Sequence, residues 1–330
     1  MGLVISRRQA LGAIAGSAVA FRAPLLHAAE KPPTLRVGKA VVENIGFIPL
    51  DVGMEYGIFA KNGLAIEELN FAGGAKIAQA MTAGALDISL SAGPDMAFIA
   101  KGAPEIAIAS IAESPAFMAY VVGAQSTARG IDDLKGKKIG ITSPGSLTDW
   151  LAEDLNRVKG WTTNGDRVTT VAIGGSTPAT LAALKTGQVE ASIVAHQLGF
   201  QMEERKEGRL LFDCSRYVGT IELYTIFANT AVTQQHPDLV RRFLKGWLEA
   251  IAFMKGHKAE TVRVAAKVMG NSPAVASRTY DSLMPQFSAD GKFSPQAINT
   301  LIDSFNDMHK LSAPVDVTKL YTEQFLPTKL

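Results

Sequence analysis

The 330-residue sequence holds one cysteine, Cys214, and five histidines scattered at His27, His196, His236, His257 and His309. A single cysteine excludes an internal disulfide, and its position excludes a lipid-bearing cysteine just after an N-terminal apolar core. The histidine spacing fits no zinc-ligand pattern. The chain also lacks a Walker loop, an HExxH helix, a G-x-S-x-G elbow and a G-x-G-x-x-G turn, so phosphate-loop, zinc-protease, hydrolase and dinucleotide chemistries are without their usual signatures. An enzyme, a metal and a cofactor are therefore not expected. No apolar run approaches the roughly 20 residues that span a bilayer. With 47% hydrophobic and 19% charged residues the composition is that of globular material long enough for two domains.

Acidic residues are missing from the first 29 positions, which carry Arg7, Arg8 and Arg22 around the apolar stretch Leu11 to Phe21. This is the pattern of a cleaved export signal. Ser6-Arg7-Arg8 is similar to a twin-arginine start. Ala10 and Gly12 stand where that pattern has an aromatic and a lysine, and neither Leu26-His27-Ala28 nor His27-Ala28-Ala29 is a good small-x-small cut. Without the three arginines the formal charge falls from +2 to −1, which leaves no nucleic-acid footprint. Residues 1–29 are therefore expected to be an export signal, and the remainder a monomer free in the periplasm.

What is present is an alternation of strand and helix. Thr34 to Val42 reads as a strand, Pro49 to Lys61 as a helix closed by Asn62-Gly63, Leu64 to Asn70 as a strand, Ala75 to Thr82 as a helix, Leu86 to Ser91 as a strand and Asp95 to Lys101 as a helix. This is an α/β pattern with a mostly parallel sheet. The segment FAGGAKIAQAMTAGALDISL from Phe71 is echoed by IGGSTPATLAALKTGQVEASIV from Ile173. In each, a Gly-Gly turn starts an alanine-rich helix, Gly84 or Gly187 ends it, and Asp87 or Glu190 follows three residues later, before an apolar strand. The pattern reads either as a duplicated lobe or as the ordinary repetition of α/β units. Two apolar strands, Phe117 to Val122 and Thr220 to Asn229, are candidates for crossings between lobes. The expected division is lobe one over 30–118 and 225–330, lobe two over 119–224. Past Asn229 the chain turns helical: Val240, Phe243, Leu244, Trp247, Leu248, Ile251 and Met254 recur at helical spacing, as a helix packed on lobe one requires. Further helices are expected over His257 to Met269, Pro273 to Met284 and Pro295 to Leu311.

From about Thr34 to Leu326 the chain resembles the periplasmic solute-binding proteins of the nitrate, sulfonate and taurine importer group, which includes relatives that bind a thiamine-precursor pyrimidine. The resemblance is carried, in order, by GFIPLDVGMEYGIFAKNGL, GGAKIAQAMTAGALDIS, SAGPDMAFIAKG, DDLKGKKIGITSPGS and ATLAALKTGQVEASIV. It implies a type II periplasmic-binding fold, with two α/β lobes joined by two crossing strands, a small molecule held between them, and hinge closure that signals an ABC-importer permease.

In open α/β sheets ligands gather beyond the carboxyl ends of strands, where helix N-termini offer unpaired N–H groups. In lobe one such corners are Glu43-Asn44, Gly73-Gly74 and Ser91-Ala92, the last before the helix containing Asp95. In lobe two they are Ser143 to Thr148, including Gly145, Ser146 and Leu147, and Gly174-Gly175-Ser176-Thr177. Hydroxyls and glycine N–H groups suit oxyanion oxygens. Ser146 and Ser176 read equally as helix caps, and Glu43 as a partner for a ligand N–H or as a solvated loop acid. If the resemblance holds in register, Ser114 and His196 also face the cleft, His196 reading otherwise as a surface residue that starts a helix. Trp150 and Phe200 are candidate walls or core. The expected ligand is a small organic anion: a sulfonate, a nitrate-like anion or an aromatic carboxylate. A pyrimidine binder and a periplasmic sensor are the alternatives. A pyrimidine-making enzyme of this fold uses a cysteine-rich segment, which Cys214 alone does not supply, and a regulator's effector domain would carry a helix-turn-helix in place of a signal.

Overall fold

Apolar strands punctuated by glycine turns fold into two separate five-stranded sheets. The computed structural model describes residues 31–308, 311 and 316–328; the export signal expected over residues 1–29 lies outside the described residues. The first sheet holds β1 (Thr34–Lys39), β2 (Ala65–Asn70), β3 (Ile88–Ala92), β4 (Glu105–Ala112) and a late strand, β10 (Tyr224–Asn229), in the order β2-β1-β3-β10-β4. The second holds β5 (Met118–Gly123), β6 (Lys138–Ile141), β7 (Thr169–Ala172), β8 (Ala191–Ala195) and β9 (Gly208–Asp213), in the order β7-β6-β8-β5-β9. β1 and β6 are parallel to both neighbours, and β10 and β5 are antiparallel to theirs. Each sheet thus follows one plan, with a single antiparallel strand contributed from across the molecule.

The repeated segments take equivalent places in that plan. α3 (Gly74–Thr82) joins β2 to β3, and α6 (Thr177–Lys185) joins β7 to β8. Both end in a left-handed glycine, Gly84 at φ +68° and Gly187 at φ +69°. The acid that follows donates its N–H to the equivalent parallel strand, Asp87 to the Arg36 carbonyl of β1 and Glu190 to the Lys138 carbonyl of β6. The chain passes from sheet one to sheet two through residues 113–117 and returns through 214–223, so β5 and β10 lie wholly within the sheets they enter.

Lobe one adds α1 (Ile48–Glu55), α2 (Ile58–Lys61) and α4 (Met96–Ala100). Lobe two adds α5 (Leu147–Lys159) and α7 (His196–Arg205). The chain then closes with α8 (Thr230–Gln235), α9 (Pro237–Gly256), α10 (Lys258–Met269), α11 (Pro273–Leu283) and α12 (Pro295–Asp307). α9 buries the seven apolar residues its periodicity selects, each worth about 1.5–3 kcal/mol on burial. Gly246 lets Phe59 approach, and the Phe59 and Phe243 rings stack at 5.4 Å. α11 and α12 reach lobe two as well. The Arg278 guanidinium lies 3.7 Å from the Phe200 ring centre and pairs with Glu203 at 2.8 Å, and Trp150 Nε1 donates to Ser304 Oγ at 3.0 Å. Trp150 and Phe200 are therefore packed under these bridging helices.

At the end of β1 sits Lys39, with no exposed side-chain surface. Its Nζ donates to both Asp51 oxygens of α1 at 2.7 Å and lies 3.1 Å from Glu68 Oε1 on β2. Burial raises the Asp51 carboxyl to about 6 although Lys39 pulls it down. Among the described residues no helix is long and apolar enough to cross a membrane.

Candidate ligand cleft

The carboxyl ends of β1, β2, β3, β6, β7 and β8 face one another across the two lobes, as the strand directions require. Between them lies a cleft of about 820 Å³, its open mouth included. Eleven of the candidates line it: Glu43, Asn44, Gly73, Gly74, Ser91, Ala92, Ser146, Leu147, Thr148, Gly174 and Gly175.

The lobe-two corner is a triangle of hydroxyls. Thr142 Oγ1 lies 2.8 Å from Ser146 Oγ and 3.0 Å from Thr148 Oγ1, and the latter two are 2.9 Å apart. Ser146 also caps α5, accepting from the Asp149 N–H at 3.4 Å, and Thr148 Oγ1 accepts from the Thr142 N–H at 2.9 Å. The cap and the cleft-lining role fall on the same side chain. The N-termini of α3, α5 and α6 all open on the cleft, which gives it a positive partial charge without a cation. Its walls are apolar, drawn from Phe47, Met118, Ile193, Leu198, Tyr224 and Met269.

Among the described residues Glu43 is the only charged side chain in the lining. Its carboxylate accepts from Thr177 Oγ1 and its carbonyl from Gln197 Nε2, so the β1 corner of lobe one is fastened to α6 and α7 of lobe two. Asn44 Oδ1 accepts from the Gly46 N–H at 2.8 Å and its Nδ2 donates to Tyr224 Oη at 2.8 Å, fixing the same corner to β10.

Six candidates lie off the lining. Asp95, 2% exposed, accepts from Ser91 Oγ, and its carboxyl occupies the space a Cβ on Gly74 would need. Burial raises it to about 7, and its charge in turn joins burial in raising Glu105 to about 8. Ser143 stands beside Gly73 across the lobe boundary. Gly145 is exposed, its N–H given to Asp149 at 2.9 Å, and Ser176 is an exposed cap of α6. Ser114 caps a short 3-10 turn in the first crossing. His196 Nδ1 bonds the Ala116 carbonyl at 2.7 Å and its ring rests 4.7 Å from Phe200; burial lowers its pKa. Thr177, read as the end of the second lobe-two corner, lines the cleft as well, whereas the sequence reading missed Thr142, Gln197, Gln201 and Asn271, all lining. Thr142 is the last position before the corner that was read, and Gln197 is the helical neighbour of His196. Among the described residues no three His, Cys, Asp or Glu side chains gather into a metal-holding group.

Two α/β lobes with a ligand-sized cleft at facing strand ends define the class, and the comparisons agree. The family model described as NMT1/THI5 like matches residues 44–261, more than half of the chain, and the protein belongs to that family. The alkanesulfonate-binding protein SsuA of Xanthomonas axonopodis pv. citri, bound to MOPS, superposes with a TM-score of 0.74 at 20% identity over 89% of this chain and 99% of that one. The periplasmic aliphatic sulphonate binding protein SsuA of Escherichia coli gives 0.70 at 19% over 90% and 93%. The periplasmic nitrate-binding protein NrtA of Synechocystis PCC 6803 gives 0.67 at 14% over 88% and 86%. The fold is the type II periplasmic-binding fold. No curated protein matches the sequence.

Proposed function

We propose that this protein is the solute-binding component of an ABC importer, exported to the periplasm, where it closes as a monomer on a small organic anion and presents it to the membrane permease. The observation that carries this reading is the hydroxyl triangle of Thr142, Ser146 and Thr148 at the N-terminus of α5, set against apolar walls. Rotating hydroxyls and free N–H groups stabilise a sulfonate or carboxylate head, and the apolar walls hold an organic body. That division favours an organic acid over a bare inorganic ion such as nitrate. The names of the sulfonate- and nitrate-binding neighbours support the ligand class. A neutral pyrimidine is the second reading, favoured by Glu43 as the single charge in the lining.

A thermal-shift screen of the mature protein against sulfonates, aromatic carboxylates, nitrate and pyrimidines tests this. A ligand at 100 times its Kd stabilises by about 2.7 kcal/mol. The expected result is a hit among the organic acids, recovered unchanged by mass spectrometry; a ligand that is consumed, or hits confined to pyrimidines, overturns it.

Closure itself depends on Gly73. A Cβ there would stand 2.9 Å from Ser143 Oγ and 3.2 Å from Thr142 Oγ1 of the other lobe, and its φ of +102° is one that side chains rarely adopt. Gly73→Ala is expected to weaken binding of the screened ligand at least about tenfold by calorimetry, about 1.4 kcal/mol. Part should return when Ser143→Ala is added, and an unchanged Kd would contradict the closed geometry.

A further inference from the structure

The end of the cleft formed by α7 and the turn after α10 is built differently from the hydroxyl corner. Gln197 and Gln201, one turn apart on α7, both line it, and so does Asn271. Gln201 Nε2 donates to the Gly270 carbonyl at 3.3 Å, which brings the turn carrying Asn271 against α7. Gln197 is 3% exposed and its Nε2 is given to the Glu43 carbonyl, which fixes the amide's orientation and leaves Oε1 as its free atom. Gln197 Oε1 and Asn271 Oδ1 are both buried and without a hydrogen-bond partner. Nearly all buried polar atoms in folded proteins are satisfied, so two orphaned acceptors lining one cleft mark a place where a donor belongs.

We propose that Gln197 and Asn271 form a second polar subsite that accepts hydrogen bonds from an N–H or O–H group on the ligand, at a distance from its acid head. This rests on the reading of the cleft as a ligand site and narrows it: the ligand is an organic acid that also carries a hydroxyl, amine or amide. The Glu43 carboxylate, engaged with Thr177 and joined to Gln197 through its own carbonyl, adds negative potential that suits a donor and repels a second acid. An organic acid with a purely hydrocarbon body would leave both acceptors buried and dry, which is the arrangement by which hydrogen-bonding sites reject analogues that lack the group.

Matched probes separate this subsite from the acid head. Calorimetry would compare 4-hydroxybenzenesulfonate with benzenesulfonate, 4-aminobenzoate with benzoate, and, as a pair with no acid, phenol with anisole. The donor-bearing member should bind at least about tenfold tighter within a pair, and the preference should shrink towards unity in Asn271→Leu and in Gln197→Leu. Asn271→Leu leaves the Gln197–Glu43 fastening in place, so loss of preference there cannot be ascribed to a failed closure. Preference for phenol with no binding of either acid pair would retain the subsite and remove the anion reading. Equal affinity within the pairs, a preference that survives both substitutions, or binding by no donor-bearing probe would overturn the proposal.

Discussion

Lys39→Met is expected to destabilise the protein by about 3–5 kcal/mol, the range for breaking a buried ion pair from one side. The cause is what the substitution leaves behind. Lys39 is fully buried between Asp51 and Glu68, and Asp51 is already raised to about 6 by burial with the ammonium beside it. Without Lys39 the Asp51 and Glu68 carboxylates lose their shared counter-charge, and the buried Asp51 must take up a proton or draw in water. A raised carboxyl stabilises the fold below its unfolded-state value and loses that contribution as pH rises through the folded one. The penalty of Lys39→Met should therefore be largest at pH 7 to 8 and shrink towards pH 5. Replacing all three by Lys39→Met, Asp51→Leu and Glu68→Gln should cost less than the single change. Urea unfolding of the three proteins decides it, and a loss below about 1 kcal/mol for Lys39→Met at pH 7 would show that the ion pair does not hold β1, α1 and β2 together. The stakes are functional, because Lys39 ends β1, the strand that leads into the Glu43-Asn44 corner of the cleft.

The second large effect is on binding. Ser146→Ala together with Thr148→Val removes two of the three hydroxyls at the α5 N-terminus while keeping the bulk of Thr148. A hydrogen bond to a charged oxygen is worth about 1.5–3 kcal/mol, so the pair should cost about 3 kcal/mol or more, roughly 150-fold in Kd. Ser146 also caps α5, and that loss lowers stability by about 1 kcal/mol. Unfolding measured in parallel separates the two. A Kd within twofold of the parent would move the acid head away from this corner.

How much of this was legible in the sequence follows from which interactions are local. The α9 stripe and the doubled Gly-Gly turn, helix and strand are short-range patterns, and the structure repeats them in equivalent places. The glycine and hydroxyl corners could be named because helix starts after strand ends are local signals too. The boundary of the corner slipped by one residue at Thr142, since the side-chain direction of the residue just past β6 depends on tertiary placement and not on the local pattern. His196 drew attention by its chemistry, but its ring turns to Ala116 and Phe200 while Gln197, a residue type without a motif, lines the cleft. Phe47, Met118 and Tyr224 meet only through tertiary packing; the Phe47 and Tyr224 rings lie 5.2 Å apart, yet the whole second sheet separates them along the chain. The same holds for Lys39, an ordinary strand residue by sequence, and for α11 and α12, whose contacts with α7 and α5 no helical periodicity could announce.

The central claim is that an organic acid is held between the lobes by the α5 corner, and a crystal structure of the mature protein with the tightest acid from the screen tests it most directly. The expected density places the sulfonate or carboxylate oxygens within hydrogen-bond reach of Ser146 Oγ and Thr148 Oγ1, with the body against Met118 and Tyr224. Density for the acid outside the cleft, or with its head at Gln197 and Asn271, would contradict the account.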